Sequence, residues 1–416
     1  MRLELATSQP VQREEAAGSA VARSLPRIVM VLPSLGPGGS EGVVSTIASR
    51  WAERGWSITV ISLEAAETAP YYPLSSRVVL RRLGVPVDKN GILRGTYKAA
   101  NRLRLLRSEF LRLKPHLVVS FLTRTNILSV LAAAGSGIPV VVSERNNPEA
   151  QTFGPIWSRL RRLTYPHAFG LVTMTHGAME SFPPKQRRRS WVIPNQVNVP
   201  SDIVPKRSGR IIAAVGRLVP QKGFDLLLEA FGQVAPYHPK WSLTIWGEGP
   251  ERINLTMLRD ELGLSDRVRF AGVSERPGSW LETADVFVLS SRYEGWGIVL
   301  MEAMAAGLPV VSFDCKFGPR EMISHGEDGL LVPAGNVTAL AASLSHLLGD
   351  ESLRRNLGMQ AALSAKRFSS DTVMSAWDKV VDDAVRSRGL SWTAPQRRAV
   401  DQIETDDPDR RHHHMR

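Results

Sequence analysis

The sequence predicts an α/β protein of two doubly wound parallel-sheet domains that face each other across a cleft. Three observations carry this. The chain has 416 residues, enough for two domains at roughly 100–200 residues each. Short continuous apolar runs alternate with helical stretches along its length, the pattern of a parallel sheet covered on both faces. The opening strand Arg27-Ile-Val-Met-Val-Leu-Pro33 is also echoed by Arg210-Ile-Ile-Ala-Ala-Val-Gly216, a second start of the same kind of unit.

Residues 1–24 carry Glu4, Arg13, Glu14, Glu15 and Arg23 and no apolar core of a signal peptide, so they are expected to form a disordered tail. The strand from Arg27 runs into Gly36, Pro37, Gly38 and Gly39 and then a helix over about 41–54. Further strands are expected at Ser57–Ser62, Leu117–Ser120, Val140–Val142 and Leu171–Met174. The uncharged stretch 125–143 is broken by Gly135, Ser136, Gly137 and Pro139, which excludes a membrane span. Polar residues with Pro194, Pro200 and Pro205 mark 194–209 as the interdomain linker.

The second unit continues with strands at Leu243–Trp246, Val268–Ala271, Val286–Leu289 and Val310–Phe313 and helices near 225–234, 253–262, 298–306 and 337–348. A last amphipathic helix, 370–387, presents Val373, Trp377, Val380, Val381 and Ala384 on one face. The division expected is a tail over 1–24, domains over 25–200 and 201–369, a returning helix over 370–388, and a polar tail over 389–416 in which His412–His414 are solvated.

Composition narrows the class. With 43% hydrophobic and 22% charged residues the chain is globular rather than fibrous or disordered. The single Cys315 excludes an internal disulfide and a multi-thiolate zinc site, and suits a reducing, cytoplasmic setting. The net charge of +12 is uneven: residues 1–200 hold 26 basic and 12 acidic side chains, residues 201–416 hold 26 and 28. The excess lies in the first half. There, Arg94–Lys114 reads as a basic amphipathic helix, joined by the clusters Arg159–Arg162 and Lys185–Arg189. These fit either an ordinary solvated face or an anionic membrane surface. Nucleic acid is disfavoured, because no aromatic interleaving accompanies the basic segments.

Ligands in doubly wound sheets bind beyond the carboxyl ends of the strands, so chemistry is sought there. After the first strand stand Gly38 and Gly39, a pattern that serves a tight turn as readily as a phosphate. After the strand at 210 come Gly216, Arg217 and, five residues on, Lys222. Two cations there suit a diphosphate, although a solvated loop would also tolerate them. After Leu289 the run Glu294-Gly-Trp-Gly297-Ile298-Val299-Leu-Met-Glu302 opens a helix, whose glycine-flanked start is an anion site. Glu302, among apolar neighbours, is either a buried core acid or an acceptor for ribose hydroxyls.

Taken together, Arg217…Lys222-Gly, Trp246-Gly-Glu-Gly-Pro250, Phe270-Ala-Gly-Val273, Glu294…Glu302-Ala-Met-Ala-Ala-Gly-Leu-Pro-Val-Val-Ser312 and Gly329–Pro333 resemble the retaining glycosyltransferases of the GT-B fold, family four, also called glycosyl transferases group 1. The likeness covers about residues 26–388, includes Gly38-Gly-Ser-Glu41, and is strongest over 210–335. The resemblance implies two Rossmann-like domains around an interdomain cleft. It gives Arg217 and Lys222 the donor diphosphate, Glu302 the ribose and Glu294 the sugar hydroxyls. Gly247, Gly249 and Val273 would line the base pocket, with Gly216, Gly297, Ile298 and Val299 completing the donor site.

The sequence departs from better-known members at one place. Where many carry a sugar-contacting histidine, this chain reads Ser143-Glu-Arg-Asn-Asn-Pro148. Arg145 is the candidate replacement, Asn146 the next, and pairing of Arg145 with Glu144 or another acid is the plain alternative. This variant and Phe313–Glu321 are similar to the exopolysaccharide and lipid-linked oligosaccharide subgroup.

No Asp-x-Asp follows a strand, so neither a metal nor any other cofactor is expected, and positive charge on the leaving diphosphate would come from Arg217, Lys222 and the helix start. The expected partners are a nucleotide-sugar donor, with UDP-sugar favoured, and a saccharide or lipid-linked acceptor, with an anionic membrane surface as a further partner and no nucleic acid. The alternatives are a GT-B nucleotide-sugar epimerase, disfavoured by Glu294 and Glu302, and a non-catalytic nucleotide-sugar-binding or membrane scaffold.

Overall fold

The computed structural model describes residues 25–36, 38–65, 69–85, 92–145, 147, 149, 154–197, 199, 203–204 and 210–389. The tail 1–24, the tail after Gly389, Asn146 and parts of the linker lie outside the described residues.

The first domain is built on a seven-stranded sheet. Its strands are β1 (Arg27–Leu32), β2 (Ser57–Ser62), β3 (Val79–Arg82), β4 (Leu117–Phe121), β5 (Val140–Ser143), β6 (Gly170–Thr173) and β7 (Ser190–Val192), in the order β3-β2-β1-β4-β5-β6-β7 with every pairing parallel. The second domain holds a six-stranded parallel sheet of β8 (Ile211–Val215), β9 (Ser242–Trp246), β10 (Val268–Gly272), β11 (Val286–Leu289), β12 (Val310–Asp314) and β13 (Leu330–Pro333), ordered β10-β9-β8-β11-β12-β13.

Both orders reverse direction once, between β1 and β4 in the first sheet and between β8 and β11 in the second. A crevice opens at each such switch point beyond the strand ends. The inner strands β1, β4, β5 and β11 are buried almost throughout, which is why they read as unbroken apolar runs.

Three strands go beyond the sequence expectation, and all three are edge or next-to-edge pieces of ordinary composition. β3 reads Val-Leu-Arg-Arg and alternates exposed and half-buried, β7 has three half-buried residues, and β13 ends in Pro333, which an edge strand tolerates. The helix Glu351–Ala365 was also not foreseen. Its buried seam is only Leu357, Gly358, Ala361 and Ala365, with Met359 and Leu363 facing outward, and Asp350 caps its start by accepting from the Leu353 amide.

The final helix Ser370–Arg386 leaves the second domain and packs on the first. Val373, Met374, Trp377, Val380 and Val381 enter the core that contains Ile28, Met30 and Trp51. The Trp51 and Trp377 rings meet edge-on at 6.5 Å, and the Trp51 indole N–H donates to Asp378 at 2.9 Å. Arg50–Asp371 and Arg54–Asp378 ion pairs frame this contact. The helix thus straps the two domains together.

Across the cleft, the Glu321 carboxylate accepts the His176 and Gly177 amides at 3.0 and 3.2 Å, and Lys316 pairs with Glu149 at 2.5 Å. The carboxyl ends of the two sheets are thereby held face to face.

Candidate active site

Between the facing strand ends lies a cleft of about 580 Å³, within the size range of small-molecule sites. Each domain points the start of a helix into it. Helix Gly39–Glu53 begins after Gly38 with no side-chain cap, and Gly39 and Ser40 line the cleft. Helix Ile298–Ala305 begins after Gly297, which sits at φ +95° and likewise supplies no cap. Its first amides, those of Ile298 and Val299, have no partner within the helix and also line the cleft. Two unsatisfied helix starts aimed at one space favour an anion there. The approach is close: a Cβ on Gly39 would lie 2.7 Å from the Ile298 side chain of the other domain.

The second domain adds charge at its switch point. Arg217, two residues beyond β8, is exposed to the cleft. Its side chain makes no hydrogen bond or ion pair among the described residues, while its carbonyl accepts from the Val219 amide at 2.9 Å. Lys222 and Glu294, which come from loops after β8 and β11, form an ion pair of 2.6 Å. Glu294 is only 5% exposed, and Ser291 donates to the same oxygen at 2.7 Å. Gly216 lets the lysine stem pass: a Cβ there would stand 3.0 Å from it. The two residues that the sequence assigned to separate parts of a donor are therefore one ion-paired unit in the cleft.

Arg145 follows β5 and lines the opposite wall. Its partner is not Glu144. That carboxyl turns into the domain, where Thr123 and the Tyr165 hydroxyl donate to it, and burial raises its pKa. Arg145 instead donates from Nη1 to the Ile193 carbonyl at 3.0 Å and to Asn195 Oδ1 at 3.1 Å. Its guanidinium lies over the rings of Phe121 and Trp377 at 5.7 and 5.4 Å. Burial without a counter-charge pushes its pKa down to about 9.

Glu302 is one turn further along the helix, behind the cleft lining. Burial pushes its carboxyl up to about 7, opposed by a hydrogen bond from Trp280. It lies near the first domain too: the Tyr72 hydroxyl is pushed up to about 12, chiefly by burial, with Tyr71, Glu302 and Glu41 adding to the rise.

The remaining glycines and Val273 stand outside the lining. Gly38 makes room for the Glu41 carboxylate, which a Cβ would meet at 2.2 Å. Gly247, at φ +134°, lies against the Gly216 carbonyl, 1.9 Å from where a Cβ would be, and Gly249 approaches the Leu218 backbone in the same way. They let the loops after β8 and β9 touch, which sets the path of the segment bearing Arg217. Val273 is 68% exposed.

Sequence reasoning missed Asn147, Asn195, Gln221 and Tyr293, all of which line the cleft. The signal for Asn195 was its place just past a strand in Ile193-Pro-Asn; for Gln221 it was position, between the two cations. Among the described residues no group of three or more His, Cys, Asp or Glu side chains is placed to hold a metal, and no helix is long and apolar enough to cross a membrane.

Two facing Rossmann-like domains whose switch points share one anion-seeking cleft make the GT-B architecture. Residues 200–363 match the family described as glycosyl transferases group 1, and residues 38–196 match the glycosyl transferase 4-like domain. The chain belongs to the group 1 glycosyltransferases and is a transferase enzyme.

An exopolysaccharide phosphotransferase of Streptomyces coelicolor is 30% identical over 84% of this chain, which spans 40% of that protein's length. The GalNAc-alpha-(1->4)-GalNAc-alpha-(1->3)-diNAcBac-PP-undecaprenol alpha-1,4-N-acetyl-D-galactosaminyltransferase of Campylobacter jejuni is 26% identical, over 85% of this chain and 98% of that protein. Among solved structures, Anabaena HepE in complex with UDP and glucose superposes with a TM-score of 0.70 at 20% identity, over 86% of this chain and 99% of that one.

Proposed function

We propose that this enzyme is a retaining glycosyltransferase that moves a sugar from a UDP-sugar to a saccharide or lipid-linked acceptor in the synthesis of a cell-surface polysaccharide or glycan. The observation that carries this is the Lys222–Glu294 pair set beside Arg217 and an uncapped helix start in one cleft. The undecaprenol-linked acceptor named for the Campylobacter relative and the UDP named for HepE support the substrate classes.

In this mechanism Arg217, Lys222 and the Ile298 and Val299 amides hold the diphosphate, and Glu302 accepts the ribose hydroxyls. Glu294, steadied by Lys222, accepts hydroxyls of the transferred sugar, and Arg145 is the candidate for the place where better-known members of the family carry a histidine. The bond between the anomeric carbon and the diphosphate oxygen breaks as the acceptor oxygen bonds the same face, and the acceptor proton passes to the departing phosphate oxygen. Charge building on that phosphate is met by fixed cations and dipoles, and we propose that no resident metal is required.

Peripheral contact with an anionic membrane belongs to the same proposal. The helix Ile92–Leu113 turns fewer guanidinium groups outward than its sequence suggests, since Arg102 donates to the Val85 carbonyl and Arg107 to those of Ala132 and Ala134. The helix Gly154–Thr164 is the better support: Ile156 and Leu163 are 64% and 57% exposed beside exposed Arg159 and Arg162.

The test is transfer from UDP-sugars to short saccharide acceptors in the presence of a chelator, with the product's anomeric configuration read by NMR. A product with the donor's configuration is expected. An inverted product, or turnover that stops on chelation and returns with metal, would refute the mechanism.

A further inference from the structure

The Arg145 guanidinium has no N–H group left over for a substrate. Nη1 carries two protons, and both are used, on the Ile193 carbonyl at 3.0 Å and on Asn195 Oδ1 at 3.1 Å. Nε and Nη2 are buried without a partner, and the group lies over the rings of Phe121 and Trp377. A cation enclosed in this way costs stability. It grips one side chain that borders the cleft.

That side chain is Asn195, which follows β7 in Ile193-Pro-Asn195 and lines the cleft although it is only 4% exposed. An arginine can only donate, so the amide atom facing it must be the oxygen, and the two N–H bonds of Nδ2 are turned away from Arg145. Nδ2 makes no hydrogen bond among the described residues, and it is not one of the polar atoms buried without a partner. It therefore keeps exposed surface, and the space that Asn195 borders is the cleft. The cation held against Oδ1 also polarises the amide, which makes Nδ2 a stronger donor.

Glu294 of the other domain lines the same cleft and, when ionised, offers only acceptors. A donor on one wall and an acceptor on the facing wall suit a sugar, because each hydroxyl both gives and takes a hydrogen bond. We propose, resting on the transferase assignment above, that Asn195 Nδ2 donates to a hydroxyl oxygen of the transferred sugar, and that Arg145 is a positioning residue that acts through Asn195 by fixing which end of its amide faces the cleft. The charge then stays behind the amide, and a neutral donor meets the sugar.

UDP release from UDP-glucose, UDP-galactose and UDP-N-acetylglucosamine in the presence of short saccharide acceptors gives kcat and KM, and calorimetry gives the affinity for UDP alone. The variants are Asn195→Ala, Arg145→Met, the two combined, and Arg145→Lys, with thermal melts to confirm that each is folded. Asn195→Ala should lower kcat/KM about tenfold, the scale of one hydrogen bond, and leave UDP affinity unchanged. Arg145→Met frees the amide to turn and should lower kcat/KM by a similar factor. The double variant should lose no more than about tenfold, because the second change acts on a contact already gone. Arg145→Lys still donates to Oδ1 and should retain most of the wild-type rate.

Wild-type transfer by Asn195→Ala would overturn the proposal. So would losses that multiply to about 100-fold in the double variant, since Arg145 would then act apart from Asn195, or a fall in UDP affinity as large as the fall in kcat/KM. Each of these results leaves the transferase assignment standing. Failure of wild type to bind UDP at all would overturn both.

Discussion

Glu302→Gln is the substitution whose consequences the structure specifies most fully. Burial lifts the carboxyl from an ordinary 4.5 to about 7, with the Trp280 hydrogen bond pulling the other way. Between those two values the folded protein keeps a proton that the unfolded chain has lost. Stability therefore falls as pH rises from about 4.5 to about 7 and stays at the lower level above that. The gap corresponds to about 3 kcal/mol. Because Glu302 keeps some contact with solvent, about 1–3 kcal/mol is the expected penalty at pH 8.

Glutamine has no proton to lose, so the variant should match wild type near pH 4.5 and exceed it at pH 8. The difference should appear as a rise in Tm of a few degrees in a domain of this size, at roughly 2–4 °C per kcal/mol. Nucleotide binding should move the opposite way. Ribose hydroxyls donate to the ionised carboxylate, so wild-type affinity should increase as pH rises through about 7, while the variant binds more weakly and without that step. Thermal melts and calorimetric titrations from pH 4.5 to 8.5 measure both. Equal Tm differences at all pH values would refute the argument that Glu302 bears a desolvation cost.

Other consequences follow from neighbouring contacts. Lys222→Met or Glu294→Gln alone should cost about 2–4 kcal/mol by leaving a charge without its partner, whereas the double substitution should recover at least half of the summed loss; additive denaturation energies would show that the pair is not coupled. Gly247→Ala places a Cβ 1.9 Å from the Gly216 carbonyl at φ +134° and should lower stability by about 3 kcal/mol or more; a wild-type melting temperature would contradict that packing. Vesicles containing phosphatidylglycerol should bind the protein at low salt and release it at high salt, and the combined Ile156→Ser, Arg159→Ser and Arg162→Ser variant should bind about tenfold more weakly, the effect of removing about 1.4 kcal/mol of contact. Unchanged vesicle binding in that variant would place membrane contact elsewhere or nowhere.

The parallel α/β architecture was readable because inner strands such as β1 and β11 are buried on both faces and so must be apolar throughout. The edge strands β3 and β7 were not, since a strand with one free face accepts Arg81, Arg82 or Ser190 without penalty. At the site, Arg217, Lys222 and Glu294 were legible from their places just past strand ends. Their mutual arrangement was not, because the 2.6 Å pair joins residues 72 positions apart in the chain. The sequence also left open whether Arg145 pairs with Glu144. Only the path of the chain after β4 and β5, which turns Glu144 towards Thr123 and Tyr165, separates them.

Gly247 and Gly249 illustrate the converse: a motif noticed for its ligand is held in the fold by backbone contact with Gly216 and Leu218.

Calorimetric titration of UDP, GDP and ADP into the protein without added metal, repeated on Arg217→Ala, addresses the function of the cleft. One nucleoside diphosphate, expected to be UDP, should bind wild type with micromolar affinity, on the order of 8 kcal/mol. Arg217→Ala should lose at least about 1.5 kcal/mol of that, the scale of a hydrogen bond to a charged group. Binding of no nucleotide by wild type, or identical affinities with and without the Arg217 guanidinium, would contradict the assignment of this cleft as the donor site.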